Sequence, residues 1–234
     1  MDLNLEGKTA LVTGASKGIG FQTALRLAQE GCHLHLVART LADLADAAKR
    51  ISEQVGSSVK INFHSFDLSQ SQDVDAMITA CDPIDILVNN AGISRSTPID
   101  HDDYLDHWQQ TLSVLLTAQM VTIRSALPYL RKSLHPRIVN IASTEALGAT
   151  RFGSQYTAAK TGVTGLTRSL AVELGPEGIT VNCICPGPIK TGMTSRIPDE
   201  AKDKFARRRT VLLRYAEPEE VAHGVMNLVL PASQ

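Results

Sequence analysis

Ser143, Tyr156 and Lys160 have the residue types and the spacing of an acid–base site. Tyr156 and Lys160 lie four residues apart in the run YTAAK, so on a helix both side chains project from the same face. A tyrosine with an unperturbed pKa of about 10 is a weak acid–base group at neutral pH, but a neighbouring cation favours the phenolate and lowers that pKa. Ser143 comes just after a predicted strand, where its hydroxyl can hydrogen-bond a substrate oxygen.

A tyrosine with a lysine four residues later is common on protein surfaces, where both side chains are solvated. Here the pair opens a predicted helix, and Ser143 lies 13 residues before Tyr156. We therefore predict that Ser143, Tyr156 and Lys160 are catalytic residues.

A glycine-rich turn near the amino terminus has the composition of a nucleotide-binding loop. The run TGASKGIG at residues 13–20 follows a short apolar run and precedes an apolar helical pattern. In this context Gly14 permits a tight turn, Gly18 lets the backbone approach a pyrophosphate, and Gly20 allows the helix to pack close to the strand. The N–H groups at the start of the helix then face the phosphates. Because glycines also mark ordinary strand–helix connections, this turn alone is weak evidence.

Apolar strands alternate with helical patterns along almost the whole chain, and these elements must position the candidate residues. Strands are predicted at residues 9–12, 34–38, 59–66, 84–88, 137–142 and 179–184. After the helix of the glycine turn, further helices are predicted at residues 41–55, 73–81, 105–130 and 156–174, and from near 217 to 230. Such repeated units are typical of an α/β fold with a doubly wound parallel sheet. We predict one Rossmann-like domain over residues 1–234, with a ligand crevice at the carboxyl ends of its strands.

The composition narrows the classes of partner and compartment. The chain has 234 residues, 43% of them hydrophobic, and a formal net charge of -1, which favours neither nucleic acid nor an acidic membrane surface as a partner. No apolar run is long enough for a membrane span, and the start MDLNLEGK is too charged for a signal peptide. We predict a cytoplasmic protein that acts on a small molecule, with no nucleic-acid or membrane partner.

Four cysteines, at positions 32, 81, 183 and 185, suit a reducing cytosol. Cys183 and Cys185 lie two residues apart in a predicted strand and therefore point to one face of the sheet. Because we find no further Cys or His at ligand spacing, we interpret the pair as small core residues and predict no metal site.

Several motifs follow one another in a fixed order along nearly the whole chain. They are TGASKGIG at 13–20, Asp67-Leu68, NNAG at 89–92, IAS at 141–143, YTAAK at 156–160 and VNCICPGPIKT at 181–191. In this order they resemble the short-chain dehydrogenase/reductase family, and in particular its 3-oxoacyl-[acyl-carrier-protein]-reductase-like branch. The resemblance implies an NAD(P)-dependent oxidoreductase that acts on carbonyls or secondary alcohols.

The resemblance also implies the roles of individual residues. Tyr156 would give a proton to the carbonyl oxygen as the nicotinamide gives hydride to carbon, while Ser143 holds that oxygen. Lys160 would lower the pKa of Tyr156 and bind the nicotinamide ribose. Tyr156 and Lys160 are also implied to bind the cofactor, and so are residues of the glycine turn: Gly14, Ser16, Lys17, Gly18, Ile19 and Gly20. Asp67 and Leu68 would lie beside the adenine, and Asn89, Ala91 and Gly92 on the adenosine side. The nicotinamide end would be bound by Pro186, Gly187, Ile189 and Thr191.

The charges near the second strand favour NADP(H) over NAD(H). Relatives that prefer NAD have an acidic residue at the end of this strand, which bonds the ribose 2′-hydroxyl. Here Ala38 occupies that position, Arg39 follows it, and Lys17 lies in the glycine turn. Two cations without a carboxylate favour a 2′-phosphate. The alternative is that Arg39 only begins the next helix in solvent.

One departure from the family pattern lies in the helix after NNAG. Relatives have an Asn in a W…VNL pattern, and the aligned residue after Trp108 is Leu115. That Asn helps to hold the water that links the catalytic lysine to solvent, and a leucine side chain cannot form hydrogen bonds. We expect slowed turnover, with Thr111 as a candidate substitute one turn earlier.

A second departure lies at the carboxyl end. Relatives continue beyond the last helix with a TG turn, a seventh strand and a DGG motif, whereas this sequence stops at PASQ. We expect either an incomplete sequence or a sheet that lacks the seventh strand and exposes an edge. The family resemblance implies a homotetramer or homodimer, and the missing region makes the tetramer less certain.

The substrate-determining segment is expected at residues 191–215. Its apolar residues, such as Met193 and Phe205, predict a mobile lid with an apolar inner side. Its cations (Lys202, Lys204 and residues 207–209) could attract an acyl thioester, but we interpret them as a solvated helix face.

Three functions remain open. An NADPH-dependent reductase of ketones or 3-oxoacyl groups comes first, and an NAD(P)-dependent secondary-alcohol dehydrogenase is the alternative. A catalytically impaired nucleotide-binding relative is the third, and Leu115 is its main support.

Overall fold

A parallel sheet of six strands lies at the centre of the computed structural model, which describes residues 3–70 and 74–233. The strands are β1 (Thr9–Thr13), β2 (His33–Ala38), β3 (Ile61–Ser65), β4 (Ile86–Asn89), β5 (Arg137–Ile141) and β6 (Thr180–Ile184). They follow the order β3-β2-β1-β4-β5-β6, and every pairing is parallel. This is the doubly wound order, in which the chain reverses direction between β1 and β4 and opens a crevice at the carboxyl ends of the strands.

Helices cover both faces of the sheet. They are α1 (Gly18–Gln29), α2 (Leu41–Val55), α3 (Val74–Thr79), α4 (Tyr104–Leu112), α5 (Ala118–Leu130), α6 (Ser154–Leu174), α7 (Asp199–Arg209) and α8 (Pro218–Val229). One core lies under α1, α2 and α8, and a second lies under α3 and α5 and the end of α6. Successive strand residues alternate between these cores, as Leu36 and Val37 of β2 do, which explains why the central strands are apolar throughout.

The structure confirms the predicted α/β Rossmann-like fold, with small changes at the ends of elements. The edge strand β3 is shorter than the predicted range 59–66, because Val59 and Lys60 still belong to the connection that follows a single turn of 3-10 helix at Gly56–Ser58. The predicted helix at 105–130 is interrupted by a π-helical segment, Ser113–Thr117, between α4 and α5. Asp73, the first residue of the predicted helix at 73–81, lies outside the described residues. No seventh strand occurs in the part of the chain that the structure describes.

None of the helices formed by the described residues is long and apolar enough to cross a membrane.

Candidate active site

The three predicted catalytic residues come together at the carboxyl end of β5. Ser143 follows this strand by two residues, while Tyr156 lies in the first turn of α6 and Lys160 one turn later. The Ser143 side chain lies near enough to the Tyr156 hydroxyl to lower its pKa. The Lys160 Nζ lies 5.8 Å from the centre of the Tyr156 ring and donates a 2.7 Å hydrogen bond to the Ile141 carbonyl oxygen. The geometry therefore combines a hydroxyl pair with a buried ammonium group.

Burial, rather than the neighbouring cation, dominates the pKa of Tyr156. Desolvation raises the pKa of this phenol above its ordinary value, the Ser143 side chain opposes the rise, and the charge of Glu145 adds to it. Burial also lowers the pKa of Lys160 to about 8. The depression of the Tyr156 pKa that the Tyr–Lys spacing predicts is not found, because the ammonium of Lys160 is directed to a backbone carbonyl and is itself desolvated.

Glu145 is a polar neighbour of the site that the sequence reasoning missed. Its backbone N–H donates to the Ser143 Oγ at 3.1 Å, and its Oε1 accepts a hydrogen bond from Thr150 Oγ1 at 2.9 Å. Its Oε2 is buried and has no hydrogen-bond partner among the described residues. Its position two residues after Ser143 was the only signal in the sequence.

Replacing Glu145 with glutamine should shift the pH dependence of the carbonyl reduction that the family resemblance implies. If Tyr156 is the implied proton donor, it acts only while protonated, and activity falls as the pH rises through its pKa. Because the Glu145 charge raises that pKa, Glu145→Gln should move the basic limb of the kcat/KM profile to lower pH. NADPH oxidation followed across pH measures this shift. Glu173→Gln, at an exposed position far along α6, is the control and should leave the profile in place. An unmoved limb in Glu145→Gln would contradict the assignment.

The backbone of the glycine turn after β1 has a conformation that few residue types can adopt. Gly14 and Gly18 have φ values of +65° and +60°, which other residues rarely adopt. A Cβ atom on Gly20 would collide with the Asn90 side chain and the Gly14 carbonyl oxygen, and one on Gly18 would lie 3.2 Å from the Thr191 methyl group. The glycines are therefore required because the turn packs closely against its neighbours, and the turn leads into the start of α1, where N–H groups can hold a pyrophosphate.

Thr13 and Asn90 connect this turn to the turn after β4. The Asn90 Nδ2 donates to the carbonyl oxygens of Thr13 at 2.9 Å and Gly14 at 3.2 Å. In return, the Thr13 Oγ1 accepts hydrogen bonds from the N–H groups of Asn90 and Ala91. The family resemblance implied that residues 89–92 line the adenosine side, but nothing in the sequence indicated that Thr13 and Asn90 join the two turns.

Two predicted cofactor-binding residues direct their side chains into the protein interior. The Asn89 Nδ2 donates a 2.9 Å hydrogen bond to Asn140, whose own Nδ2 donates to Thr167 at 3.0 Å. Leu68 packs in the core under α3 and α5. At both positions it is the backbone that remains for a cofactor contact. Asp67 is exposed, and its Oδ1 accepts a hydrogen bond from the Ser69 N–H at 3.0 Å.

The two predicted phosphate-binding cations lie at the surface beside the glycine turn. Arg39 follows β2 and is exposed. Lys17 precedes α1, and its Nζ lies 4.0 Å from a carboxylate oxygen of Asp43, with both side chains well exposed. Because exposed ion pairs of this kind contribute little free energy, Lys17 stays available to an anionic ligand. Ser16 and Ile19, between the glycines, are half-buried.

The predicted nicotinamide end lies next to the catalytic residues. The Thr144 N–H donates to the Pro186 carbonyl oxygen at 2.9 Å, which joins the loop after Ser143 to the loop after β6. Gly187 is exposed, whereas Ile189 is buried and pairs with Ala216 in an isolated bridge. Thr191 faces Gly18 across the crevice.

The predicted substrate segment at 191–215 contains α7 and reaches the crevice. A Cβ atom placed on Gly92 would lie 3.9 Å from the Met193 Cε. It would also lie 3.3 Å from the Leu115 Cδ2. At the other end of α7, Arg209 donates a 2.8 Å hydrogen bond to the Ala149 carbonyl oxygen, in the loop that follows Ser143. The segment thus approaches the turn after β4 at Met193 and the loop after Ser143 at Arg209.

Comparison with known proteins decides the family. A family model described as short chain dehydrogenase matches residues 8–202. The chain belongs to the short-chain dehydrogenase family.

This short-chain dehydrogenase has similar relatives among reductases and dehydrogenases. It is 33% identical to the 3-oxoacyl-[acyl-carrier-protein] reductase of Aquifex aeolicus, over 97% of its own chain and 92% of that protein. It is 37% identical to the D-beta-hydroxybutyrate dehydrogenase of Cupriavidus necator, over 82% of its own chain and 74% of that protein. Its fold matches that of L-sorbose reductase from Gluconobacter frateurii, a structure solved with NADPH and L-sorbose, with a TM-score of 0.91. The two sequences are 30% identical, and the match covers 100% of this chain and 93% of that one. These matches confirm the predicted oxidoreductase family and its 3-oxoacyl-reductase-like branch.

Leu115 of this short-chain dehydrogenase lies where the family resemblance implies an asparagine. It is fully buried within the π-helical segment Ser113–Thr117 and packs beside Gly92. The Thr111 hydroxyl is also buried and has no hydrogen-bond partner in the described part of the chain. Buried hydroxyls almost always have a partner, so Thr111 is available to hold a water molecule.

Cys183 and Cys185 of the short-chain dehydrogenase point to one face of the sheet, as predicted. Their sulfur atoms lie 3.9 Å apart, and both are free thiols. Burial raises the pKa of Cys183 to about 11, with a further rise from the neighbouring Cys185. Cys183 is therefore a neutral thiol at physiological pH.

Proposed function

We propose that this short-chain dehydrogenase is an NADPH-dependent ketoreductase, which reduces a ketone or a 3-oxoacyl carbonyl to a secondary alcohol. The observation that carries the proposal is the meeting of Ser143, Tyr156 and Lys160 at the carboxyl end of β5, with the Lys160 ammonium 5.8 Å from the tyrosine ring. This group lies in the crevice at the carboxyl ends of the strands, where doubly wound folds bind nucleotides.

The residues around the glycine turn fit a nicotinamide dinucleotide. Gly14 and Gly18 have positive φ values, and a side chain on either would meet a neighbour within 3.2 Å. The N–H groups at the start of α1 and the exposed Lys17 lie at the end of this turn. The backbone and the charges are thus complementary to a pyrophosphate.

The roles of the catalytic residues follow from their protonation states. When bound, the nicotinamide supplies the hydride for the carbonyl carbon. The Ser143 hydroxyl holds the carbonyl oxygen, and the Tyr156 hydroxyl donates its proton to that oxygen. The raised pKa keeps Tyr156 protonated at neutral pH, which suits a proton donor and favours the reductive direction. The Lys160 ammonium then stabilises the phenolate that remains.

NADPH is favoured over NADH by the charges near the end of β2. The position that requires an acidic residue for NAD is Ala38, while Arg39 after β2 and Lys17 in the glycine turn are both exposed. Two unburied cations can pair with a 2′-phosphate at little desolvation cost.

The direct test is oxidation of NADPH by the purified chain with a panel of ketones and 3-oxoacyl thioesters. We expect turnover with at least one member of the panel, and faster turnover with NADPH than with NADH. Faster reduction of NADP⁺ or NAD⁺ by secondary alcohols would favour the alternative, a dehydrogenase such as the D-beta-hydroxybutyrate relative. Binding of NADPH without any turnover would contradict the ketoreductase.

Leu115→Asn should speed this reduction several-fold. The amide of asparagine can hold the water through which Lys160 exchanges protons with solvent, whereas the leucine side chain cannot. The measurement is kcat for the parent and the variant in ordinary and deuterated water. Leu116→Asn, at the adjacent half-buried position, is the matched control. A Leu115→Asn variant no faster than the parent would show that Thr111 or another route already supplies the proton.

A further inference from the structure

Two histidines and a cysteine meet at the edge of the sheet opposite the catalytic residues. His35 lies on β2, His64 on the edge strand β3, and Cys81 two residues after the end of α3. One ligand atom from each of the three side chains lies within 4.8 Å of those of the other two. The closest pair, His35 Nδ1 and His64 Nε2, is 3.1 Å apart. These residues have no part in the function proposed above.

The separations are close to those of a tetrahedral zinc site. With zinc–nitrogen bonds of about 2.0–2.1 Å, two ligand nitrogens lie about 3.3 Å apart, and a nitrogen and a sulfur lie about 3.5 Å apart. The histidine nitrogens already have nearly this spacing. Bringing the Cys81 sulfur to the stated distance from each nitrogen closes a gap of at most about 1.3 Å, in view of the 4.8 Å limit.

The surroundings suit a site with three protein ligands and one solvent ligand. Cys81 is fully buried, and its Sγ forms no hydrogen bond with the described residues. His35 is 5% exposed, so the inner side of the cluster is dry. His64 is half-buried on the edge strand, which gives an ion a path from solvent and leaves room for water as the fourth ligand.

We propose that His35, His64 and Cys81 form a binding site for a zinc ion. Imidazole and thiolate are the ligands that zinc prefers, and Mg²⁺ and Ca²⁺ prefer oxygen donors. On binding, the Cys81 thiol releases its proton to solvent, and the ion replaces the hydrogen bond between the two imidazoles. The His64 ring, which stacks on His35 at an interplanar angle of 21°, turns to direct its lone pair at the ion.

The zinc ion would act on stability rather than on catalysis. It connects the edge strand β3 to β2 and to the end of α3, whereas Ser143 follows β5, three strands further along the sheet from β2. Because the ion binds the folded chain, it should raise the unfolding temperature and change ketone turnover little.

Cobalt(II), which takes the same ligands, provides the spectroscopic test. The full chain is freed of metal with a chelator, the chelator is removed, and Co²⁺ is added in steps. We expect one equivalent to bind, with a near-ultraviolet thiolate-to-cobalt band that one equivalent of Zn²⁺ abolishes. Cys81→Ser should lose the band, and His64→Gln should weaken binding by at least roughly tenfold. Cys32→Ser removes another fully buried thiol and should behave like the parent chain.

Thermal unfolding with and without Zn²⁺ gives a second readout, and circular dichroism checks that each variant is folded. His64→Gln changes a half-buried side chain on the edge strand and should therefore fold. If Cys81→Ser fails to fold, His64→Gln still tests the proposal. A band that survives in Cys81→Ser, or Zn²⁺ affinity unchanged in His64→Gln, would overturn the proposal. So would binding that is lost in Cys183→Ser instead, since it would place the ion at the Cys183–Cys185 pair. If Zn²⁺ has no effect on the parent chain, the two histidines form only a hydrogen-bonded pair.

Discussion

Replacing Tyr156 with phenylalanine should lower kcat for ketone reduction by roughly 10²- to 10⁴-fold, the contribution typical of a positioned general acid. The substitution removes one oxygen atom and leaves the ring in place beside Lys160. The carbonyl oxygen then loses its proton donor, while Ser143 can still hold it. NADPH oxidation under saturating substrate gives kcat directly, and the loss should appear in kcat rather than in KM.

Two further measurements make the Tyr156→Phe result specific. Fluorescence titration should show NADPH binding within a few-fold of the parent chain, because the glycine turn is unchanged. Tyr129→Phe removes a surface hydroxyl that lies 3.3 Å from the Thr79 Oγ1, and it should retain full activity. If Tyr156→Phe keeps more than a tenth of the parent kcat, Tyr156 is not the proton donor and the mechanism proposed here is wrong.

Features of the fold that depend on local sequence could be predicted. The apolar runs gave the six strands because strands buried on both faces are apolar throughout, as β1 and β4 are. The four-residue spacing placed Tyr156 and Lys160 on one face of α6 because helical geometry is regular. The π-helical segment at Ser113–Thr117 was not predicted. A π-helical turn is wider than an α-helical turn, but a single such turn does not change the spacing of apolar residues enough to be recognised in the sequence.

Features of the site that depend on packing could not be predicted in this way. The four-residue spacing brings Lys160 near Tyr156. Only the fold determines that the Lys160 ammonium is buried and donates to the Ile141 carbonyl. The fold therefore also determines that burial, rather than the neighbouring cation, dominates the pKa of Tyr156. The hydrogen bonds of Asn90 to the first turn join residues more than 70 positions apart. The same holds for the cluster at His35, whose partners come from a neighbouring strand and a helix end. No spacing in the sequence marks it, which is why the prediction of no metal site considered only Cys183 and Cys185.

Replacing Arg39 with aspartate should reverse the preference for NADPH. If the Arg39 guanidinium pairs with the 2′-phosphate, its loss removes a charge-assisted hydrogen bond, and the KM for NADPH should rise by roughly 10- to 100-fold. The new carboxylate repels the phosphate and can accept hydrogen bonds from the ribose hydroxyls of NADH, so the KM for NADH should fall. The measurement is kcat/KM for both cofactors with one good ketone substrate.

The controls separate the phosphate contact from the overall charge of the protein. Arg124→Asp makes the same change at an exposed position on α5 and should leave the cofactor preference unaltered. Lys17→Gln should weaken NADPH binding moderately without strengthening NADH binding, because it removes a cation and adds no carboxylate near the ribose. High salt should reduce the NADPH preference of the parent more than that of Arg39→Asp, since ions screen an exposed charge pair. If Arg39→Asp and Arg124→Asp have the same effect, Arg39 only begins α2 in solvent, and the cofactor preference must come from Lys17 or from the turn itself.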